Sequence, residues 1–316
     1  MKKNFTKIDR NIFYPLPHMY PQVRISPFIP QAWEEILNAK NASVSRTVED
    51  PEFWLNGAGH LQYHASGRDA LRGCLKNLRL RRQDEVLIVK NTEGPYVSGC
   101  VTKTIEKICR WSQQWNRKTR CVLVIHEFGF PCPIGKILPY TKNGIPIIED
   151  CAYALGSRIG GAAVGTIGDY AVYSLPKIYP IPFGGILVAK TPCNRTDHNF
   201  DIPADFKELL RQTLRKSHSL LPEWNRLRRE NWLFFAKKLF RKGLKPYFSL
   251  SRGIVPGVYV THVPKNFSGE KVKQRLNSVG VESTQYYGQQ GFYFPLHQFL
   301  TAYEKEYIVH HFLSAL

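Results

Sequence analysis

The chain is short of acidic residues, of methionine and of long apolar runs. Its 316 residues hold 25 Asp plus Glu against 44 Lys plus Arg, a formal net charge of +19, and 2 Met. That imbalance biases the protein toward anionic partners: phosphates, nucleic acid or an acidic membrane surface. No stretch approaches the roughly 18 apolar residues of a membrane-spanning helix. The opening MKKNFTKIDRNIFYPLP is basic without an apolar segment, so it does not read as a secretory signal, and the expected setting is the cytoplasm. Cys74, Cys100, Cys109, Cys121, Cys132, Cys151 and Cys193 form no CxxC pair and no Cys/His cluster of zinc spacing. Neither a disulfide framework nor a structural metal is indicated, and all seven are read as reduced packing residues. Internal repeats and low-complexity tracts are also lacking. What is present is 43% hydrophobic and 13% aromatic residues, enough to bury a core in one large or two modest domains.

From about residue 60 to 190, short apolar runs alternate with helical patterns, the mark of a parallel sheet covered by helices. The runs at 85–89, 121–125, 145–148, 170–174 and 185–189 are apolar without alternation, as strands buried on both faces are. Residues 69–80 place Ala70, Leu71, Cys74, Leu75 and Leu78 at helical spacing, and 97–115 and 134–142 read as two more helices. Residues 158–162 offer a hairpin around Gly160 and Gly161.

Ligands of an open α/β sheet bind beyond the carboxyl ends of its strands, and there the chain turns polar. His126 and Glu127 follow one run, Asp150 another, Ser174 and Lys177 a third, while Ser66-Gly67-Arg68 opens the first helix. A helix start favours a phosphate through its free N–H groups and dipole. Taken singly, these residues have plainer readings: an Asp after a strand caps a loop, a Lys is solvated, and Ser-Gly is ordinary at a helix start. Taken together, a phosphate cradle, a carboxylate and a nucleophilic lysine match what pyridoxal phosphate requires.

The wording and order of several segments resemble the DegT-type (DegT/DnrJ/StrS) sugar aminotransferases, pyridoxal-phosphate enzymes of fold type I. The likeness rests on HASGRDALRGCL (64–75), QDEVLIV (83–89), VLVIHEFGFPCPIGKI (122–137), GIPIIEDCAYALGSRIGGAAVGTIGDYAVYSLPK (144–177) and FGGILVAK (183–190). Residues 286–313 look like the family's closing strand and helix. The resemblance implies an aspartate-aminotransferase-like α/β fold, with a mostly parallel central sheet, helices on both faces and a smaller C-terminal α+β domain. Residues 1–200 would form the large cofactor-binding domain with an N-terminal arm, and 201–316 the small one. Lys177, seven residues before Gly184, falls where the family bonds the cofactor. Asp150 matches the aspartate that faces the ring nitrogen, and Ser174 the phosphate-binding serine. Gly67, Arg68 and Asp69 match the helix start that cradles the phosphate. Tyr96 is the candidate for stacking on the ring, and Tyr153 stands where the family carries Gln or His beside it.

The implied activity is conversion of a keto group on a nucleotide-diphosphate sugar to an amine, with glutamate as donor, in a homodimer serving amino-sugar or polysaccharide synthesis. Three departures keep a second reading open. These are Tyr153, a short gap from Ser174 to Lys177, and the lack of the GYNYRM-like stretch that supplies an interface Asn. In place of that stretch, residues 205–245 hold 12 Lys or Arg against 4 Asp or Glu, interleaved with Trp224, Trp232, Phe234, Phe235 and Phe240. The run reads as a solvated face, as a grip on a phosphorylated ligand, or as an amphipathic helix lying on an anionic membrane. The second reading is a catalytically degenerate member that binds anionic ligands.

Overall fold

The structure, a computed structural model, describes residues 22–39, 60–193 and 202–316. An N-terminal arm over the first residues lies outside the described residues. After helix α1 (Pro30–Asn38), the chain builds a seven-stranded sheet. Its strands are β1 (His60–His64), β2 (Glu85–Lys90), β3 (Arg110–Ser112), β4 (Thr119–Ile125), β5 (Ile147–Asp150), β8 (Tyr170–Ser174) and β9 (Gly185–Ala189), in the order β1-β9-β8-β5-β4-β2-β3. β2, β3, β4, β5 and β8 run parallel, and β9 runs antiparallel to both neighbours, β8 and β1. The central strands are apolar on both faces because both are covered: Val86, Leu87 and Ile88, and Cys121 through Val124, are all buried. β6 (Arg158–Ile159) and β7 (Ala162–Ala163) form the expected hairpin.

Helices α2 (Gly67–Asn77), α3 (Gly99–Glu106) and α4 (Ile134–Thr141) connect these strands. α2 buries Ala70, Leu71, Cys74 and Leu75 and starts at Ser66, whose Oγ accepts from the Asp69 N–H. Two expectations need correcting. The helix expected over 97–115 ends at Glu106, and Arg110–Ser112 leaves it to pair with β2 at the sheet edge. The strand expected over 145–148 runs over Ile147–Asp150, because Pro146 has no N–H for a ladder and only its carbonyl is used, by Val122. Glu149 and Asp150 therefore end the strand itself.

The remaining elements are α5 (Ala204–Ser217), α6 (Leu221–Phe240), β10 (Val258–His262), α7 (Gly269–Ser278), β11 (Thr284–Tyr286), β12 (Gly291–Pro295) and α8 (Ala302–Ala315). The last three strands form an antiparallel sheet in the order β10-β12-β11. Around it Phe235, Tyr259, Phe292, Phe294, Tyr307 and Phe312 form an aromatic core. α6 bridges the two sheets. Its Leu221 and Trp224 pack with β8 and β9 residues and with Leu210 and Leu214 of α5, whereas Trp232, Phe235 and Leu239 pack on the small sheet.

This packing corrects the membrane-facing reading of the basic run. Trp224, Trp232 and Phe235 are core residues, Phe234 is partly buried, and Phe240 alone of the five is well exposed, at 61%. Some of the basic side chains also have partners within the protein: Arg226 pairs with Glu223 and Glu230, Lys238 with Glu306, and Arg229 donates to the carbonyls of Ser251 and Ile254.

Candidate active site

The carboxyl ends of β4, β5 and β8 and the start of α2 meet around a cavity of about 310 Å³. Gly67, Arg68, Tyr96, Asp150, Tyr153, Ser174 and Lys177 all line it. Of the residues singled out in the sequence, Asp69 stands apart. Its N–H is taken by Ser66 Oγ, and its carboxylate accepts from that hydroxyl and pairs with Arg72, so it closes the helix cap and does not line the cavity.

The helix start is pressed against the sheet by close backbone approach. A Cβ on Gly67 would come within 2.9 Å of Ser174 Cβ, and one on Gly185 within 2.3 Å of the Ser66 carbonyl. These glycines let the first turn of α2, with N–H groups unused by the helix, lie beside the Ser174 hydroxyl. The start of α2, at Gly67 and Arg68, and Ser174 thus lie together at one end of the cavity, where a helix start favours an anion.

Asp150 lies elsewhere on the wall. Its Oδ1 accepts from the Ala152 N–H at 3.0 Å. Burial raises its pKa, against the opposing pull of that N–H, of His126 and of Lys177. Such a carboxyl gains from a cationic partner, which favours its ionised form. Lys177 follows β8 in the 3-10 turn Leu175–Lys177, with its Nζ 4.9 Å from the centre of the Tyr153 ring. The neighbouring Tyr153 raises the pKa of this ammonium against the opposing effect of burial. The turn brings Lys177 to the cavity three residues after Ser174, across the short gap seen in the sequence.

Tyr96 sits on the rim, edge-on to Tyr286 at 5.3 Å and stacked on Tyr287 at 6.1 Å. Sequence reasoning passed over Lys90, Cys100, Phe128 and Tyr293, which also line the cavity. Phe128 and Tyr293, with ring centres 4.9 Å apart, make an aromatic wall with Tyr153. Their separation along the chain hid that wall. Lys90 is a second amine in the cavity, held by Thr92 and 3.7 Å from Glu127, with its pKa lowered chiefly by burial.

Behind Asp150 lies a buried polar hub. Glu149, fully buried, accepts from His126 Nε2 at 3.0 Å and from the N–H groups of Gly165, Ile167 and Gly168 at 2.6 to 2.9 Å. His126 Nδ1 accepts from the Cys132 N–H, so Nε2 carries the proton that Glu149 receives. His126, Glu149 and Cys151 bring ligand atoms within 4.8 Å of one another. Both histidine nitrogens and both carboxylate oxygens are already engaged by protein groups, and burial holds the Cys151 thiol protonated. The trio braces the end of β5 and offers no open face to a metal.

Residues 110–192 match the model of the DegT/DnrJ/EryC1/StrS aminotransferase family. A UDP-N-acetyl-3-dehydro-alpha-D-glucosamine 3-aminotransferase of Acidithiobacillus ferrooxidans is 28% identical over 143 residues, covering 41% of this chain and 39% of the relative. GDP-perosamine synthase of Escherichia coli O157:H7 is 38% identical over 91 residues, covering 27% and 25%. The matched stretches thus span well under half the length of these relatives. The fold is shared more widely. The aminotransferase TlmJ from Streptoalloteichus hindustanus superposes with a TM-score of 0.71 over 94% of this chain and 99% of its own, at 20% identity. Helicobacter pylori PseC, an aminotransferase involved in the biosynthesis of pseudoaminic acid, superposes with a TM-score of 0.71 over 96% and 98%, at 15% identity. Among the described residues, no helix is long and apolar enough to cross a membrane. Residues 110–192, the part of the chain similar to the DegT/DnrJ/EryC1/StrS aminotransferase family, carry β3 through β9 and with them Asp150, Ser174 and Lys177.

Proposed function

We propose that the protein is a pyridoxal-phosphate-dependent aminotransferase that converts a keto group of a nucleotide-activated sugar to an amine, with glutamate as donor. The observation that carries this reading is that Lys177, Asp150, Ser174 and the first turn of α2 open into one cavity. The donor set fits the cofactor. The start of α2 at Gly67 and Arg68 and the Ser174 hydroxyl would hold its phosphate, Asp150 its protonated ring nitrogen, and Tyr96 a face of its ring. When bound, the cofactor supplies an electron-withdrawing ring that stabilises negative charge on the carbon bearing the transferred nitrogen.

The chain's own groups do the rest. Lys177 would hold the cofactor, and its amine would carry the proton to and from the reacting carbon. The aromatic wall of Phe128, Tyr153 and Tyr293 excludes water from Lys177 and offers apolar faces to a sugar ring. Tyr153, in place of the family's Gln or His, keeps a hydroxyl donor at the lysine. The net charge of +19 favours a diphosphate-bearing substrate. Similarity to enzymes named for UDP- and GDP-linked sugars supports the substrate class. Action as a homodimer in the cytoplasm belongs to the same proposal.

The test is amino transfer itself. Protein loaded with pyridoxal phosphate, given glutamate and a panel of UDP-, GDP- and dTDP-linked keto-sugars, is expected to form 2-oxoglutarate with at least one. Lys177→Ala is expected to abolish turnover while leaving the circular dichroism spectrum unchanged. Near-normal turnover by that variant would overturn the reading. Salt-sensitive retention on nucleic acid, with no cofactor bound, would favour the anion-binding alternative.

A further inference from the structure

We propose that Arg228 and Gln298 form a buried clamp on the backbone of the Lys177 turn that sets the aim of the Lys177 side chain, making Arg228 a positioning residue of the site. The inference rests on the reading of Lys177 as the cofactor-bonding lysine. Arg228 belongs to the basic run of α6, yet its residue is only 2% exposed. Its Nη2 donates to the carbonyl of Lys177 at 3.0 Å and to that of Ile178 at 3.3 Å. Its Nε donates to Gln298 Oε1 at 2.8 Å, and Gln298 Nε2 donates in turn to the Ile178 carbonyl at 3.0 Å. Gln298 follows β12 of the small sheet, so the clamp gathers both halves of the molecule on one turn.

These partners are neutral carbonyl and amide oxygens. Burying a guanidinium against such partners is costly, and a neutral side chain of similar length would fill the space at lower cost. Packing alone does not account for the arginine. Its fork geometry does: one planar group reaches two successive carbonyls and a side-chain amide, fixing the peptide planes on both sides of Ile178. The preceding carbonyl, of Pro176, accepts from Ser26 Oγ at 2.7 Å. Three consecutive carbonyls of the turn are thus held from outside it, while Leu175 anchors it in the core and bonds through its carbonyl to the N–H groups of Ile178 and Tyr179. With only two residues between Ser174 and Lys177, the turn has little slack, and a rotation of one peptide plane would swing Lys177 off the ring position.

The test uses the full-length protein, pyridoxal phosphate as probe, and three readouts. These are the melting temperature without cofactor, cofactor affinity by absorbance, and the distribution of borohydride-fixed label between Lys177 and Lys90, the second amine of the cavity, by peptide mass mapping. Arg228→Met is expected to weaken cofactor binding about tenfold or more, the scale of losing donors to buried carbonyls, and to move part of the label from Lys177 to Lys90. Arg228→Lys is expected to restore part of both, and Gln298→Leu to fall between. A merely structural role would lower the melting temperature without redistributing the label. A folded Arg228→Met protein with unchanged affinity and label confined to Lys177 would overturn the clamp and leave the cofactor reading standing. If Arg228→Met fails to fold, Gln298→Leu decides on the same criteria. Lack of label on Lys177 in the unsubstituted protein would overturn the cofactor reading and the clamp with it.

Discussion

His297 should make the fold acid-sensitive over a range where most proteins are at their best. It lies just after β12, 5% exposed, and burial together with the nearby Arg228 charge pushes its pKa from 6.5 down to about 3. The folded protein therefore keeps His297 neutral at pH 5, whereas in the unfolded chain the same imidazole binds a proton below 6.5. Because the unfolded state binds more protons, stability is unaffected above that value and falls as pH drops toward 3. At about 1.4 kcal/mol per pH unit, moving from pH 7.5 to 5.0 costs about 2 kcal/mol from this group alone. Glutamine is a suitable replacement: it does not titrate, and its carbonyl can accept from the Phe299 N–H that now bonds His297 Nδ1 at 3.3 Å. Urea unfolding followed by tryptophan fluorescence, at both pH values, gives the loss for each protein, and the other titrating groups cancel in the difference. The unsubstituted protein is expected to lose about 2 kcal/mol more than His297→Gln between the two pH values. Equal losses would refute the reasoning.

Two further outcomes follow from the geometry around Asp150 and Gly67. Glu149→Gln leaves one acceptor oxygen where two now serve four donors, and turns an amide NH₂ toward backbone N–H groups. With two charge-assisted bonds lost at about 1.5–3 kcal/mol each, it is expected to lower stability by about 3 kcal/mol or more. That loss is read as a shift in the urea midpoint. Burial opposes the ionised form of Glu149, but His126 and the backbone N–H groups outweigh it and hold the pKa below the ordinary range. The stability this carboxylate contributes is thus complete above that range, lost as pH falls through the lowered pKa, and absent from the variant. Gly185→Ala would place a methyl 2.3 Å from the Ser66 carbonyl carbon and oxygen, backbone atoms that cannot rotate aside. The expected cost is about 1–3 kcal/mol, with weaker pyridoxal phosphate binding as the start of α2 is pushed from Ser174. Unchanged affinity measured by absorbance would argue against the cradle.

The sheet was legible in the sequence because strands covered on both faces leave unbroken apolar runs, and 170–174 and 185–189 match β8 and β9 to the residue. Asp150, Ser174 and Lys177 were legible because each closes or follows such a run at the carboxyl edge. Arg110–Ser112 was not, since a three-residue edge strand carries no period of its own beside the helix-spaced Val101, Ile105 and Cys109. Arg228 was hidden for a different reason. Its partners lie 51 and 70 residues away, so the local pattern shows only one more charge in a basic run. The same holds for Trp224, Trp232 and Phe235, whose burial depends on two sheets that α6 reaches at opposite ends, and for Phe128 and Tyr293, which meet across the cavity.

The role proposed for Lys177 is to bond pyridoxal phosphate in the cavity shared with Asp150 and Ser174. It is tested most directly by mixing the purified protein with the cofactor, recording the absorption spectrum before and after borohydride, and mapping the modified peptide by mass. The expected result is a cofactor band that borohydride abolishes and a pyridoxyl group fixed on Lys177. A spectrum that remains the sum of its parts at saturating cofactor, or a label that never reaches Lys177, would contradict it.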